Sequence, residues 1–463
     1  MIRRASAGRL PLRLAVAAFG LASVPGYALD LRAVFAPEVH GLVWYVLLFG
    51  GQFVLYLGTA WLVFRSAADD RALLVIVLAF GLLFRLSVLP TAVHLSSDPY
   101  RYLWDGRVQR AGVNPYRYPP SAPELRDLRD EAVHPHINRP DKRTIYPPGA
   151  EALFAVATTL GADSVVGWRV VLLLFDGLTG ALLLRLLHRM ARPPATIILW
   201  AWAPLAVFEG VQAAHLDPAF VPVLLLALLW RQEGRMFHAG AALGLAVLLK
   251  LYPAILLFAW WRKGDRRFPL ACAGVVVAGY LPYAWSVGPD VLGFLPEYFG
   301  SAEDFNVGLR DFVVNATALG DGVAREVARG VVMLALIAAL VVALARIRGR
   351  LVDDTEGVFR AARAAVGAYL LLIPTALHAW YAIWMLPFLA VAPSAGWLWF
   401  TGAVSLSYLT YAWGSLPFWA RALEFFPLYA LLARGWRTTS GLTGAMVGDV
   451  SAPAAHPMPW ERA

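Results

Sequence analysis

Charge is scarce in this chain and cysteine is nearly absent. Of 463 residues only 15% are charged, while 59% are hydrophobic. A water-soluble chain runs near ~25% charged, so a string of soluble domains and a disordered regulator are both excluded. Cys272 is the only cysteine, which excludes an internal disulfide, an Fe–S cluster and a cysteine-built zinc site. The text has no Gly-x4-Gly-Lys-Ser/Thr loop for nucleotide phosphates, no His-Glu-x2-His zinc motif and no Gly-x-Ser-x-Gly nucleophile elbow. His134-Pro135-His136 offers two ligands on a loop, a weak pattern, so no metal and no resident cofactor are expected.

What the chain has in abundance is apolar length. A membrane helix needs about 20 apolar residues. Candidate spans fall near 11–29, 42–64, 72–93, 164–187, 196–210, 216–231, 268–286, 327–346, 360–377, 379–392, 397–413 and 419–434. The expected fold is all-α: a polytopic membrane protein of about twelve helices, with re-entrant or interfacial pieces at 149–160 and 237–261. Residues 1–437 read as one membrane domain, and the Ser/Thr/Pro/Gly-rich stretch 438–463 reads as a disordered cytoplasmic tail. The first span has the basic start of a signal peptide but reads as a retained helix, since many spans follow it.

The +9 net charge has two sources. Arg3, Arg4, Arg9 and Arg13 precede the first span, and further clusters recur at Arg65/Arg71, Arg185–Arg192, Arg231/Arg235, Arg262–Arg267, Arg346–Arg350 and Arg434/Arg437. By the positive-inside trend these loops and both termini are cytoplasmic, which orients the protein in the inner membrane and removes nucleic acid as a partner. The pattern holds if 237–261 is a hairpin of two half-helices broken at Tyr252-Pro253.

The remaining positive charge lies outside. On this topology the stretches 94–148 and 287–327 are extracytoplasmic. The first carries Arg107, Arg110, Arg117, Arg139, Lys142 and Arg143, and an anionic lipid phosphate would rationalise that excess. Its text runs Ser96-Ser97-Asp98-Pro99-Tyr100-Arg101-Tyr102-Leu103-Trp104-Asp105, then Gly112-Val113-Asn114-Pro115-Tyr116, then Thr144-Ile145-Tyr146-Pro147-Pro148. Asp98-Pro99 predicts a helix start. In such a helix Arg101 is adjacent to Asp105, and Asp98 shares a face with Asp105 about two turns on. In the second loop, Glu303, Asp304, Asn306, Arg310 and Asp311 are candidates for closing over a site, and their spacing fits a solvated loop equally well.

The Asp just after a helix, its aromatic neighbours, the Gly-x-Asn-Pro-Tyr turn and the Tyr-Pro-Pro helix start resemble bacterial multi-spanning glycosyltransferases of the GT-C superfamily. The nearest likeness is to the bacterial mannosyltransferase-like group, including glycosyltransferase family 87 and polyprenol-phosphomannose-dependent enzymes. GPI mannosyltransferase I is a more distant one. The likeness is densest over Ser96–Glu151. It implies that Asp98, in the first large extracytoplasmic loop, is the catalytic base. The chain departs from many members in having two helices before the one leading into that loop.

Ionisable groups within membrane segments are functional candidates. The turn Glu209-Gly210-Val211-Gln212-Ala213-Ala214-His215-Leu216-Asp217 faces the side of Asp98, and Lys250 sits beside Tyr252-Pro253 at the hairpin tip. His378, Trp380 and Tyr381 mark a late outer turn. The resulting expectation is transfer of a sugar, mannose by resemblance, from a polyprenyl-phosphate donor to a glycan, lipid or protein acceptor. Asp98 is the base, with Asp105 and Asp217 orienting it or binding sugar hydroxyls. Arg101, Lys250 and His378 hold phosphate, and His215, Tyr146, Tyr252, Trp380 and Tyr381 line the substrate site. A secondary transporter or flippase is the rival, and it would show two related halves and midplane charges.

Overall fold

A backbone in hydrocarbon must satisfy its own hydrogen bonds, which leaves helices and closed barrels. This chain takes the helical route. The computed structural model describes residues 9–29, 39–65, 70–93, 95–261, 264–300, 305–308, 323–350, 354–374 and 376–441. Among the described residues every regular element is helical, and the one β contact is an isolated bridge between Phe305 and Ala376. Of the loop residues expected to close over a site, Glu303, Asp304, Arg310 and Asp311 lie outside the described residues, as does the tail from 442 on.

The helices used below are α1 (Arg9–Ala28), α2 (Val39–Arg65), α3 (Arg71–Val88), α4 (Asp98–Arg110), α5 (Pro148–Thr159), α6 (Val165–Arg189), α7 (Asp217–Gln232), α8 (Met236–Leu249), α9 (Ile255–Trp260), α10 (Arg267–Val287) and α11 (Val323–Gly349). Six stretches are long and apolar enough to cross a membrane, and the pair Pro194–Ala201 and Ala206–Gln212, bent by 59°, would make a seventh. The other expected spans are shorter or interrupted, such as α7 and Ala379–Val391. In the six long stretches no more than 39% of the apolar window is buried. Leu21, Val54, Leu174, Trp285 and Leu334 stand outward. Apolar exposure on that scale needs a lipid cover.

α6 marks the two ends of the bundle. At its start Trp168 donates to the Ala214 carbonyl (3.0 Å), and the buried Arg169 guanidinium binds the carbonyls of Leu89, Thr91 and Gln212. About 30 Å away at 1.5 Å per residue, Arg189 pairs with Glu233 at 2.6 Å. Arg185 and Arg235 face the same Glu233, Arg192 pairs with Glu356 (2.8 Å), and Arg348 lies over Trp261. Arg185, Arg189, Arg192 and Arg235 therefore gather at the end opposite the 98–217 region.

The 237–261 piece folds as the hairpin its proline predicts. Gly240 packs on the Phe268 carbonyl, Gly244 on the Cys272 carbonyl and Gly279 on Leu248, so α8 and α10 run parallel. The chain between them must return. It breaks at Lys250–Ala254, and α9 carries Trp260 back to the end of α7, where Arg231 donates to its carbonyl (3.1 Å). The 149–160 piece is α5, whose 12 residues are too few to cross. It lies tightly on α4, because a Cβ at Gly106 would stand 2.5 Å from the Phe154 carbonyl.

One ion pair ties the long helices together. Arg85 of α3 meets Asp176 of α6 at 2.7 Å and donates to the Ala201 carbonyl at 2.6 Å. Removing one partner of a buried pair strands the other. Asp176→Leu should therefore destabilise the protein by about 3–5 kcal/mol, and adding Arg85→Met should recover most of that loss. Thermal unfolding of the single and double variants in detergent checks this. Equal melting of the two would show that no stranded charge is involved.

Candidate active site

The site forms where α4, the turn before α7, the hairpin tip and the 378–385 segment meet. α4 begins at Asp98, with Pro99 in its first turn and the Asp98 N–H bonded to Ser96 Oγ (3.1 Å). The preceding bent helix ends in a π turn, Ala206–Gln212, and Ala214 then takes a left-handed φ of 58°. A widened turn followed by a non-glycine left-handed residue is a costly local conformation of the kind found at functional sites. Here it is held by the Trp168 bond to the Ala214 carbonyl. Its effect is to aim His215 into the site.

Asp98 is the centre of one cluster. Its Oδ1 accepts from Asn138 Nδ2 (3.3 Å), and its Oδ2 accepts from the Tyr102 hydroxyl (3.4 Å). His215 Nδ1 lies 3.3 Å from Asp98 Oδ2, and His215 Nε2 lies 3.5 Å from Glu209 Oε2. These are ion-pair distances, although neither contact has hydrogen-bond alignment. Glu209 in turn accepts from the Tyr408 (2.8 Å) and Tyr45 (3.2 Å) hydroxyls. The His215 ring is stacked on Trp380 at 3.9 Å, and Trp380 on His378 at 4.3 Å.

Asp217 is the centre of the second cluster. It accepts from Lys250 Nζ (3.2 Å) and from the Trp384 indole N–H. The Lys250 ammonium sits over the Tyr381 and Trp384 rings at 5.1 and 5.8 Å. Tyr252 stacks on Trp384 at 3.7 Å. The two clusters differ in access. Side-chain exposure is 20% for Asp98 and 19% for Lys250, but 0% for Asp217 and His215. One carboxylate and one ammonium are thus partly exposed while their partners are fully buried.

The electrostatics follow from that geometry. Burial alone would push the Asp98 carboxyl up, but the adjacent His215 and the charge of Lys250 hold it at about 2. Burial would push His215 down, but Asp98 and Glu209 raise it to about 9. His378 has no such carboxylate contact; burial lowers it to about 3, with neighbouring cations adding to the effect. Its buried Nδ1 has no hydrogen-bond partner.

The structure brings together Asp98, His215, Asp217, Lys250, Tyr252, His378, Trp380 and Tyr381 from the sequence-predicted set. It does not bring in Arg101 and Asp105. Arg101 pairs with Asp105 at 2.8 Å and donates to the Lys142 carbonyl (3.0 Å). Asp105 lies about 10 Å from Asp98 along the helix axis, and Arg101 is turned toward Asp105 by their ion pair. Through these contacts the two residues pin the loop to α4. Tyr146 stands one layer back, edge-on to Tyr102 at 5.0 Å. His134 and His136 form no chelate: His134 contacts the Pro120 carbonyl and His136 packs on Tyr100. Among the described residues no group of three or more His, Cys, Asp or Glu is arranged to hold a metal ion.

Sequence reasoning missed Asn138, Trp384, Tyr45 and Tyr408. Only Tyr102 carried a local signal, its place four residues after Asp98 on one helix.

An all-α polytopic chain with a carboxylate and an ammonium exposed under an ordered loop has the makings of a membrane-embedded enzyme. The family of α-(1→6)-mannopyranosyltransferases, by its N-terminal domain, matches residues 8–262. That is more than half of the chain, and the chain belongs to this family; it is a glycosyltransferase. The matched stretch holds Asp98, Glu209, His215, Asp217 and Lys250, while His378, Trp380, Tyr381 and Trp384 come from beyond it. No curated protein and no solved structure matches the chain.

The floor beneath α4 holds a second acid pair. Burial raises both Asp105 and Glu151; Asp105 adds to the rise at Glu151, while the Glu151 hydrogen bond, Arg101 and the Thr144 hydroxyl pull Asp105 the other way. A proton shared there binds more tightly in the folded protein than in the unfolded one. Its stabilisation is full at low pH and declines as pH rises through the raised folded values. Glu151→Gln retains groups able to meet Gln109 Nε2 and Thr144 Oγ1, which bond Glu151 at 2.9 and 2.6 Å. The variant should show a flatter fall in melting temperature between about pH 5 and 8 than the native protein. Parallel curves would rule out the shared proton.

Proposed function

We propose that the protein transfers mannose, in α-(1→6) linkage, from a polyprenyl-phosphate donor to an acceptor hydroxyl at the extracytoplasmic face of the cytoplasmic membrane. The observation that carries this reading is the exposed pair Asp98 and Lys250, each backed by a fully buried ionic partner. Transfer with inversion needs a base for the acceptor proton on one side of the sugar and positive charge for the leaving phosphate on the other. Asp98 suits the first role and Lys250 the second, with the unpartnered His378 Nδ1 beside them.

The setting supports a lipid-linked donor. Leu281 and Trp285 are exposed on α10 close to where Gly279 packs on Leu248, two residues before Lys250. A prenyl chain lying there would bring its phosphate to the hairpin tip. On the other side of Asp98 a groove of about 330 Å³ is lined by Leu95, Ser96, Ser97, Tyr100, His136 and Tyr411, among others. Its hydroxyls and rings suit an acceptor sugar. The arginine-rich end of the bundle lies opposite, which supports an extracytoplasmic site. The donor's own phosphate ester supplies the driving force.

In the reaction the acceptor oxygen attacks C1, its proton passes to Asp98, and the C1–O bond to phosphate breaks with its electron pair on the phosphate. Purified protein in liposomes, given polyprenyl-phosphate [14C]mannose and a mannoside acceptor, should form labelled product. Asp98→Asn should lose at least about 100-fold in kcat while melting normally. Lys250→Met should lose a similar factor, of order 100-fold or more. Because Asp98 is held at about 2, native transfer should persist down to about pH 4. A folded Asp98→Asn protein with native transfer would refute the base. Solute movement across the vesicle without product would favour a transporter.

A further inference from the structure

Glu209 has no role in the transfer as just described, yet it is among the most elaborately held acids in the molecule. It is fully buried, and both its oxygens are within 2.8 Å of the Tyr408 hydroxyl. Its remaining neighbours are the Tyr45 hydroxyl and, at 3.5 Å, His215 Nε2. His215 is itself fully buried, clamped against Trp380, and reaches Asp98 with its other nitrogen. The imidazole therefore bridges two carboxylates, one open to the site and one sealed in the protein.

We propose that Asp98, His215 and Glu209 form a three-member relay in which Glu209 is a positioning residue: it holds the charge of the His215 imidazolium, so that Asp98 can exchange a proton with the acceptor without stranding a cation in the protein interior. The inference rests on Asp98 being the base. While Asp98 is ionised, the imidazolium is shared between two carboxylates. When the acceptor O–H bond breaks and its proton moves to Asp98, that carboxylate becomes neutral. A lone buried imidazolium facing a neutral acid is costly. Glu209 remains ionised behind it and keeps the cation paired, so the proton transfer meets no such penalty. The Tyr408 and Tyr45 hydroxyls hold Glu209 in place by donating to its carboxyl oxygens.

The other charged and titratable groups around the relay come from every element packed on it. Tyr102 of α4 donates to Asp98. Asp217 of α7 and Lys250 at the hairpin tip are paired with each other at 3.2 Å. His378 lies beyond Trp380, two rings from His215, and Arg139 of the loop acts on His378 from outside. None of these places a second carboxylate against His215 Nε2. Glu209 alone does so among the described residues.

Glu209→Gln removes the charge but keeps a polar group that can face Nε2. In the native protein the His215 nitrogen-15 resonances, picked out from nine histidines by their loss in His215→Gln, should report imidazolium at pH 7.5. In Glu209→Gln they should report a ring that loses its proton below about pH 7. This reading needs no turnover, so it judges the relay even if the transfer reaction fails. In the transfer assay, the acid limb of kcat should move up from below about pH 4 to between about pH 5 and 7 in Glu209→Gln, with donor KM changed less than about twofold. Glu209→Asp should restore the native profile, and His215→Gln carries the same acid-limb test if Glu209→Gln does not fold. An imidazolium that persists at pH 7.5 in Glu209→Gln, or an acid limb that does not move, overturns the proposal. Absence of transfer by the native protein, with the resonance shift intact, counts against the transferase reading alone.

Discussion

A charge held away from water must have a partner, and the structure of this protein is arranged around that requirement. Its cost in a low-dielectric interior is several kcal/mol per unpaired ion. Arg85 answers with Asp176, Arg101 with Asp105, and Lys250 with Asp217. Arg169 gathers the carbonyls of Leu89, Thr91 and Gln212. That last arrangement joins the end of α3 to the end of the π turn, which is the ground on which the active site stands. Helix ends that would otherwise expose carbonyls are closed by the same side chain.

The same requirement explains how two of the charges are held in place while partly open to solvent. Each exposed ion at the opening, Asp98 and Lys250, is paired to a buried one, His215 and Asp217. A carboxylate held this way stays ionised while its outer face is available to a substrate. The broken hairpin is what places Lys250 there. A straight helix through 237–261 would carry the lysine past the site, whereas the break at Tyr252-Pro253 turns the chain back and leaves the ammonium at the tip under Tyr381 and Trp384. The stretch that matches the mannosyltransferase family contains Asp98, Glu209, His215, Asp217 and Lys250.

Much of this was legible in the text because it is local. Apolar runs predicted the helices, Asp98-Pro99 predicted the start of α4, and Tyr252-Pro253 predicted the break. The acidic-His turn and Lys250 were read as site residues because an ionisable group in an apolar run is expensive wherever it lies. Spacing did not show that Arg101 and Asp105 pair with each other beside Glu151 and Thr144. Helical spacing reports which face a residue shares, and says nothing of which neighbour covers that face. Asp105 is covered by Thr144 and Glu151, from the far end of the loop.

The sequence by itself determined the solvent, the helical class, the clusters of arginines between the apolar runs and the loop that bears Asp98. Those follow from composition and from interactions within a few residues. Only the tertiary structure decided the partners. Glu209 meets Tyr408 across 199 residues, and Asp217 meets Trp384 across 167. No periodicity encodes such pairs, because they depend on how whole helices pack. The pairing of His215 with two carboxylates at once, which sets the charge at the centre of the site, exists only once those helices have met.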